Sequence, residues 1–205
     1  MQTSTEALRN RWNTIAKTYS FIGKTLLTPA LTLARMLKIE EAKSIFEAGC
    51  GNGELTLHLL QTLPSDVKYI STDLSDNMIE SAKKRKEELK DKLNVTNHEF
   101  RVVDAQDLSG FEDESFDVYV GNLFFNLVPD EHKTLEEAKR VLKKGGKIGI
   151  SVLGKRENCT FFTLWQDIIK KYEKPDDTPV RSSFHLGDKE KLVNLFKEHG
   201  FEVEF

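Results

Sequence analysis

The sequence predicts an α/β fold in which a doubly wound, mostly parallel sheet carries helices on both faces. Short apolar runs alternate with amphipathic stretches of helical period between residues 44 and 200. This alternation is typical of successive strand–helix–strand units, whose strands run parallel. A glycine-rich turn follows the first predicted strand, and an acid, Asp73, ends the second. The 205 residues, 39% of them hydrophobic, suffice for one domain with a substantial core.

Composition disfavours several classes of function. The 30 basic and 33 acidic residues are spread along the chain and leave a net charge of −3, which does not favour nucleic acid as a partner. The lysine-rich run 83–86 is followed by Glu87 and Glu88, as on a solvated helix face. The two cysteines are far apart and form no disulfide framework, and no apolar run is long enough to span a membrane. We therefore expect a cytoplasmic protein without a metal site, a mitochondrial location being left open.

The turn within residues 44–56 places glycines at alternate positions between a strand and a helix. Glycine can take positive φ without a steric penalty and lets a ligand approach the backbone closely. The following helix presents its N–H groups and positive dipole end to that ligand. The spacing is G-x-G-x-G, and Glu54 stands where the G-x-G-x-x-G dinucleotide fingerprint has its third glycine. An acid at this place favours a ligand with a cationic or zwitterionic end over a pyrophosphate.

Residues 47–53, Glu-Ala-Gly-Cys-Gly-Asn-Gly, resemble motif I of the class I S-adenosylmethionine-dependent methyltransferases, in particular methyltransferase type 11 and the ubiquinone and menaquinone biosynthesis methyltransferases. The resemblance implies a Rossmann-like sheet, S-adenosylmethionine as methyl donor and S-adenosylhomocysteine as product. It also implies that the motif contacts the cofactor, through Glu47, Ala48, Gly49, Cys50, Gly51 and Gly53.

The second predicted strand, 67–73, ends at Asp73, twenty positions after Gly53. This separation suits a carboxylate at the end of the second strand that accepts hydrogen bonds from a ribose. Residues 73–78 resemble the second motif of the family, which adds Leu74 and Met78 to the expected cofactor contacts. Ser75 or Asp76 is expected to cap a helix over 77–92.

The third and fourth predicted strands end in further candidate residues. After the third strand, Asp104 and Ala105 match the family positions that line the adenine, and Gln106 follows them. The fourth strand, 116–123, brings Asn122 and Leu123 toward the cofactor's sulfonium and the acceptor. Where many relatives carry a histidine, this chain has Phe-Phe-Asn at 124–126.

The flanking segments complete the predicted organisation. Residues 1–40 are expected to form an N-terminal helical lid, with helices over 5–22 and 25–37, in which Trp12 and Tyr19 fold over the site. Residues 41–205 form the methyltransferase domain, and residues 154–186 a cap over the acceptor, rich in aromatic side chains: Phe161, Phe162, Trp165 and Tyr172.

The last part of the domain is predicted as two strands and two helices. A helix over 136–142 stops at the glycines 145–146, a fifth strand covers 147–152, a helix covers 188–200, and a sixth strand covers 201–205. The chain ends at Phe205 without residues for the family's final strand. We therefore expect a sheet lacking its last strand, with an open edge through which copies could associate.

The function expected from these features is in-line transfer of a methyl group from S-adenosylmethionine to a small-molecule acceptor. The sequence does not identify a general base, and His185, Tyr19 and Asn126 are the candidates by residue type and position. Two alternatives stay open at this point. One is a catalytically silent methyltransferase-fold scaffold, and the other is a nicotinamide-dependent oxidoreductase, which the glycine spacing disfavours.

Overall fold

The computed structural model describes residues 4–164 and 182–205. Its centre is a five-stranded parallel sheet in the order β3-β2-β1-β4-β5. The strands are β1 (Ser44–Ala48), β2 (Lys68–Asp73), β3 (His98–Val102), β4 (Phe116–Asn122) and β5 (Leu142–Ser151). The order reverses at β1, so the crevice beyond the ends of β1 and β4 is the expected place for a ligand. The predicted doubly wound α/β fold is confirmed.

Seven helices accompany the sheet in the described part of the chain: α1 (Thr5–Ile15), α2 (Ser20–Thr25), α3 (Leu27–Leu37), α4 (Glu54–Thr62), α5 (Asp76–Glu88), α6 (Glu131–Val141) and α7 (Lys189–Glu198). Residues 160–164 are also helical. On one face of the sheet, Ile45 and Val120 pack in a cluster with α3 and α4. On the other, Phe46 and Tyr119 pack with α6. Alternate residues of each strand therefore serve two cores.

Side-chain caps define where several helices begin. Ser75 Oγ accepts a hydrogen bond from Met78 N at 3.1 Å, which confirms the predicted cap of α5. Asp130 Oδ1 accepts from Lys133 N at 3.0 Å, and Asp188 Oδ1 accepts from Lys191 N at 2.9 Å. Because Asp130 caps α6, this helix begins at Glu131, five residues before the predicted start at 136.

The predicted continuous helix over 5–22 is wrong. Helix α1 ends at Ile15 and α2 begins at Ser20, with a turn between them. The turn lets Trp12 and Tyr19 meet edge to face, with ring centroids 6.0 Å apart. The contact between the two rings thus accompanies a turn that the helical periodicity of the sequence does not predict.

The predicted glycine stop at 145–146 is also wrong, because β5 begins at Leu142, directly after α6. Leu142 pairs with Phe116, whereas Lys147 pairs with Val118, so the strand carries a bulge in which Gly145 has φ +76°. Lys143 Nζ binds Asp117 Oδ1 at 2.7 Å and holds the bulge against β4. The glycines serve this bulge and not a helix end.

The predicted sixth strand over 201–205 does not form. Phe201 and Val203 pack their side chains in a cluster with Ile148, Ile150 and Phe196 without strand pairing of their backbone. The apolar alternation of this segment thus reflects packing against the domain. Within the described residues β3 and β5 are the edges of the sheet. Association through an open edge stays a prediction.

The predicted cap over 154–186 lies partly outside the described residues. Trp165 and Tyr172 lie between the two described ranges, whereas Phe161 is described and is 54% exposed. In the ranges 4–164 and 182–205, none of the helices is both long and apolar enough to cross a lipid bilayer.

Candidate active site

One cleft opens beyond the carboxyl ends of the strands, where the predicted site residues converge. It has a volume of about 690 Å³, counting the solvent at its mouth. The predicted residues that line it are Tyr19, Gly49, Gly51, Asp73, Leu74, Met78, Asp104, Ala105, Asn122 and Leu123. The others that line it are Leu8, Trp12, Thr72, Val103, Phe124, Leu127, Val128 and Pro129. The walls are mainly apolar, with a few polar groups, as in most small-molecule sites.

The glycine turn forms the floor of the cleft, and two of its glycines are required by close neighbours. Gly49 has φ +66°, and a Cβ atom there would lie 2.3 Å from Phe124 Cβ. Gly51 has φ +55°, and a Cβ atom there would meet Tyr19 Cε1 at 3.2 Å. The absence of side chains therefore leaves room for Phe124 on one side and Tyr19 on the other.

Asp73 closes β2 and faces the cleft with its carboxylate fastened to the backbone. Its Oδ2 atom accepts from Gly51 N at 2.9 Å, and its Oδ1 atom accepts from Ser75 N at 2.8 Å. Burial raises the pKa of Asp73, and these backbone N–H groups partly oppose the rise. Each oxygen has a further lone pair, so the side chain can accept hydrogen bonds from a ligand as well.

Asp104 lies in the loop that follows β3, and its carboxylate is held mainly by Gln106. Gln106 Nε2 lies 3.0 Å from Asp104 Oδ1 and 3.1 Å from Oδ2. Gln106 Oε1 accepts from Asp130 N at 2.9 Å, which connects this loop to the start of α6. Thr5 Oγ1, at the start of α1, donates to Asp104 Oδ2 at 3.3 Å. Gln106 does not itself line the cleft and acts by fixing Asp104.

The end of β4 forms the third wall. Leu123 has φ +55°, unusual for a branched side chain. Its N–H donates to Ser151 Oγ at 3.0 Å, and Ser151 Oγ donates to Asn122 Oδ1 at 2.7 Å. These bonds to β5 hold the unusual backbone, which turns Phe124 back over Gly49 and Gly121.

Leu8, Trp12 and Tyr19 form the roof. Tyr19 is partly buried, and this burial together with the charge of Asp73 raises its pKa to about 12. Its phenol therefore stays neutral at physiological pH and can act as a hydrogen-bonding group. The turn between α1 and α2 is what allows both rings of this segment to reach the site.

Comparison with known proteins identifies the family. Residues 39–201 match the family described as a methyltransferase domain. The chain belongs to this methyltransferase family. The predicted fold, enzyme class and dependence on S-adenosylmethionine are therefore confirmed at the level of the family.

Two curated relatives and one solved structure illustrate the similarity. The methyltransferase is 27% identical to a demethylmenaquinone methyltransferase of Staphylococcus saprophyticus over 80% of this chain and 72% of that protein. It is 32% identical to a ubiquinone/menaquinone biosynthesis C-methyltransferase of Rickettsia massiliae, over 68% of this chain and 58% of the relative. A SAM-dependent methyltransferase from Aquifex aeolicus superposes with a TM-score of 0.61 at 18% identity, covering 84% of this chain and 81% of that one.

Several motif I residues of the methyltransferase lie outside the cleft. These are Glu47, Ala48, Cys50 and Gly53. Glu47 is 3% exposed, and its Oε2 atom accepts from Thr56 Oγ1 at 2.5 Å, Tyr69 OH at 2.7 Å and Ser71 Oγ at 3.0 Å. Burial raises the pKa of Glu47, against the effect of these hydroxyl donors. Cofactor contact by these four residues stays a prediction.

Glu54 does not present a free charge to the cleft. Its Oε1 atom lies 2.9 Å from Arg85 Nη1, and Arg85 also donates to Asn52 O at 2.8 Å. The carboxylate thus helps to tie α5 to the glycine turn. The expectation that Glu54 faces a cationic ligand end is corrected accordingly.

Of the three candidate bases, only Tyr19 lines the cleft. His185 is partly buried, and its Nδ1 atom lies 2.8 Å from Ser182 O. Asn126 is 3% exposed and donates from Nδ2 to Ser183 O at 3.1 Å. No group of three His, Cys, Asp or Glu side chains in the described ranges could hold a metal ion.

Most of the cleft residues that the sequence motifs did not predict are close in sequence to residues that they did predict. Thr72 and Val103 precede Asp73 and Asp104 directly, and residues 127–129 follow β4. Their position after or at a strand end is the signal that could have identified them. Leu8 has no such signal, because only the folding back of α1 brings it to the cleft.

Proposed function

We propose that the cleft binds S-adenosylmethionine and that the methyltransferase moves its methyl group to an apolar small molecule, for which a quinol-type ring is the first candidate. The observation that carries the proposal is the convergence of Asp73, Asp104 and the glycine turn on one cleft. The remaining wall of this cleft is apolar. Polar and apolar requirements of donor and acceptor are thus met in adjacent parts of one space.

The residues present fit the methyl donor. Asp73 would accept hydrogen bonds from the ribose hydroxyls, since both of its oxygens keep a free lone pair. Leu74, Met78 and Ala105 would lie against the adenine, with Asp104 near its amino group. Gly49 and Gly51, which line the floor of the cleft, would lie against the amino-acid end.

The acceptor would lie against the second, apolar part of the cleft. Phe124, Leu127, Val128 and Pro129 form this wall, and Leu8 and Trp12 cover it. Burying such a surface favours a flat hydrophobic molecule over a sugar or a charged amine. The names of the Staphylococcus and Rickettsia relatives, which refer to menaquinone and ubiquinone, support a quinone precursor as the first choice.

The bound donor supplies a methyl group on a positively charged sulfur. The acceptor's nucleophilic atom forms the new bond to the methyl carbon while the carbon–sulfur bond breaks, and S-adenosylhomocysteine leaves. The chain's contribution is alignment, and two aligned reactants can gain an effective molarity of ~10⁵ M or more. Among the described cleft residues only Tyr19, Asp73 and Asp104 carry ionisable side chains, and the pKa of Tyr19, raised to about 12, keeps its phenol protonated at neutral pH. Methylation at a ring carbon of a quinol also releases the proton of that carbon, and the solvent at the mouth of the cleft can take it up.

The test combines binding with transfer. Titration calorimetry should give micromolar affinity for both S-adenosylmethionine and S-adenosylhomocysteine. Label from methyl-labelled S-adenosylmethionine should then enter a naphthoquinol that lacks a ring methyl, and a ring-methylated naphthoquinol serves as the matched control. Binding without transfer to any acceptor would favour the silent scaffold. Failure to bind either nucleoside in a folded chain would refute the proposal.

A further inference from the structure

Near the end of helix α1, one residue, Asn13, makes three hydrogen bonds to the rim of the cleft. Its Oδ1 atom accepts from Ser75 Oγ at 2.6 Å and from Asn77 N at 3.2 Å. Its backbone oxygen accepts from Asn77 Nδ2 at 2.9 Å. Three hydrogen bonds thus join one lid residue to the start of α5.

These contacts make Asn13 part of the cap of α5. The first N–H groups of a helix have no partner within the helix. Ser75 Oγ satisfies Met78 N, and Asn13 Oδ1 satisfies Asn77 N from a distant part of the sequence. The Ser75 hydroxyl accepts from Met78 and donates to Asn13, so both of its roles are used. When the lid leaves, these donors must turn to water.

The segment that Asn13 holds is itself part of the site. Asp73, Leu74 and Met78, on either side of Ser75, line the cleft, and Leu8 and Trp12 of α1 cover it. Each of these walls depends on the other, because the same three hydrogen bonds join them.

The lid has a second tie at its other end. Thr5 Oγ1 donates to Asp104 Oδ2 at 3.3 Å and accepts from Gln106 Nε2 at 3.3 Å. Helix α1 therefore spans the loops that follow β2 and β3, with its apolar residues over the space between. A ligand resting on Asp73 and Asp104 is enclosed until at least one end of α1 is released.

We propose that Asn13 is the positioning residue that latches the lid, and that breaking its bonds to α5 controls the release of S-adenosylhomocysteine. This inference rests on the proposed function for the identity of the ligand. The latch itself is a property of the ligand-free fold. The Asn13 end is the stronger tie, because its bond to Ser75 is shorter than either bond of Thr5.

Three variants test the latch. Asn13→Ala removes both bonds to Oδ1. Asn13→Asp keeps two acceptor oxygens and places a negative charge at a helix N-terminus, which favours docking. Asn10→Ala is the matched control, because Asn10 is an exposed asparagine on the same helix. The dissociation rate of S-adenosylhomocysteine is measured by stopped-flow displacement with excess S-adenosylmethionine.

Asn13→Ala should release S-adenosylhomocysteine about tenfold faster, the effect of losing two hydrogen bonds of ordinary net strength. Asn13→Asp and Asn10→Ala should stay close to the wild-type rate. Equal rates in Asn13→Ala and Asn10→Ala would overturn the latch. Faster release that Asn13→Asp does not rescue, accompanied by a lower melting temperature, would assign Asn13 a structural role and also overturn it.

A second measurement needs no ligand and separates this inference from the proposed function. Trypsin can cut α1 and the turn after it at Arg9, Arg11 and Lys17, and a latched lid slows the cuts. In ligand-free protein, Asn13→Ala should raise the rate of these cuts about tenfold over Asn10→Ala. Faster cutting without any nucleoside binding would refute the proposed ligand while keeping the latch. Unchanged cutting would overturn the latch whatever the ligand.

Discussion

Two acids on neighbouring strands, Glu47 on β1 and Asp73 on β2, have opposite surroundings. Glu47 lies one position before the end of β1, on the sheet face under α4, and accepts three side-chain hydroxyl donors. Asp73 ends β2, accepts two backbone N–H groups and faces the cleft. A carboxylate within a strand is thus absorbed by the core, whereas one at its carboxyl end is available to a ligand. The difference of position is small, but it places the carboxyl of Glu47 in the core and that of Asp73 at the cleft.

The hydroxyls around Glu47 explain how a buried carboxyl is tolerated there. Burying such a group without hydrogen bonds costs several kcal/mol, roughly 2–7 for a neutral polar group and more for a charge. Thr56 of α4 and Tyr69 and Ser71 of β2 donate to the same oxygen, so Glu47 joins β1, β2 and α4. These are the elements that frame the glycine turn.

The largest effect is expected at Gly49, in the glycine turn that follows Glu47 and forms the floor of the cleft. In Gly49→Ala the new Cβ would lie 2.3 Å from Phe124 Cβ at a φ of +66°. Strain and overpacking together should lower the free energy of unfolding by about 2–5 kcal/mol and prevent nucleoside binding. Urea denaturation and calorimetry measure the two effects.

Gly110→Ala is the matched control, because a Cβ there meets nothing within 4 Å. The double variant Gly49→Ala with Phe124→Gly removes the Cβ atom that the new methyl group would meet, so the two substitutions should cost less stability together than the sum of their separate costs. If Gly49→Ala were as stable as Gly110→Ala, the packing of Phe124 on the turn would be refuted.

The next largest effect is expected at Glu47. Glu47→Ala leaves three buried hydroxyls without their acceptor and should lower the free energy of unfolding by about 2–4 kcal/mol. Glu47→Gln, which keeps an acceptor oxygen, should lose less. Exposed Glu40→Ala is the control and should be neutral. A normal stability together with lost nucleoside affinity would show that Glu47 contributes to ligand binding, as is expected of Asp73, and not to the stability of the core.

Asp73→Asn is expected to affect ligand binding more than stability. The amide cannot accept from the ribose hydroxyls with a charged group, so affinity for S-adenosylhomocysteine should fall by about 1–3 kcal/mol. The unfolding midpoint should fall by less than in Glu47→Ala, because only one of the two backbone hydrogen bonds to Asp73 loses its acceptor. Asp76→Asn, at an exposed acid three positions on, should bind like the wild type. Calorimetry with equal affinities for the two variants would remove Asp73 from the binding site.

The pH dependence of stability gives a smaller but specific signal. Burial raises the pKa of Glu47 in the folded state, so the native chain holds this proton more tightly than the unfolded chain. The stabilisation is complete below the unfolded pKa of about 4.3 and is lost as pH rises through the folded pKa. Asp73, whose pKa is also raised, acts in the same direction. Urea midpoints measured between pH 4.5 and 8 should therefore fall less steeply in Glu47→Gln than in the wild type. Parallel curves would contradict the assignment.

The smallest effect is expected for Tyr19→Phe. The phenol has a pKa raised to about 12 and is neutral in the working range, so we expect it to bind the ligand and not to act as the base of the reaction. Losing one hydroxyl should weaken nucleoside binding by about 1 kcal/mol or less and leave the pH profile of kcat unchanged. Loss of the alkaline limb of that profile in Tyr19→Phe would restore Tyr19 as a catalytic acid or base.

Much of the fold and of the binding site was accessible from the sequence because its signals are local. The glycine spacing, the acid after β2 and the small and acidic residues after β3 lie at strand ends, and parallel strands bring their carboxyl ends to one edge. Asp73, Asp104 and Gly51 therefore meet in the cleft as expected. The helix and strand pattern set the fold class for the same reason.

Other features depended on contacts between distant segments. The sequence alone suggested a glycine stop at 145–146, whereas pairing with β4 made a bulge there. It predicted a cofactor contact for Glu47, which stays a prediction, but gave no sign of the hydroxyls from β2 and α4 that donate to its carboxyl. Periodicity cannot register such long-range hydrogen bonds, since each of them joins residues that are far apart along the chain.

By itself the sequence determined the order of strands and helices, the glycine turn and the two acids, because each rests on neighbouring residues. Only the tertiary structure decided which acid is buried, where α1 breaks, and how Asn13 reaches α5. These outcomes follow from packing and from hydrogen bonds between segments that are far apart along the chain, such as Thr5 and Gln106 at a separation of 101. They become readable only once the sheet has brought the segments together.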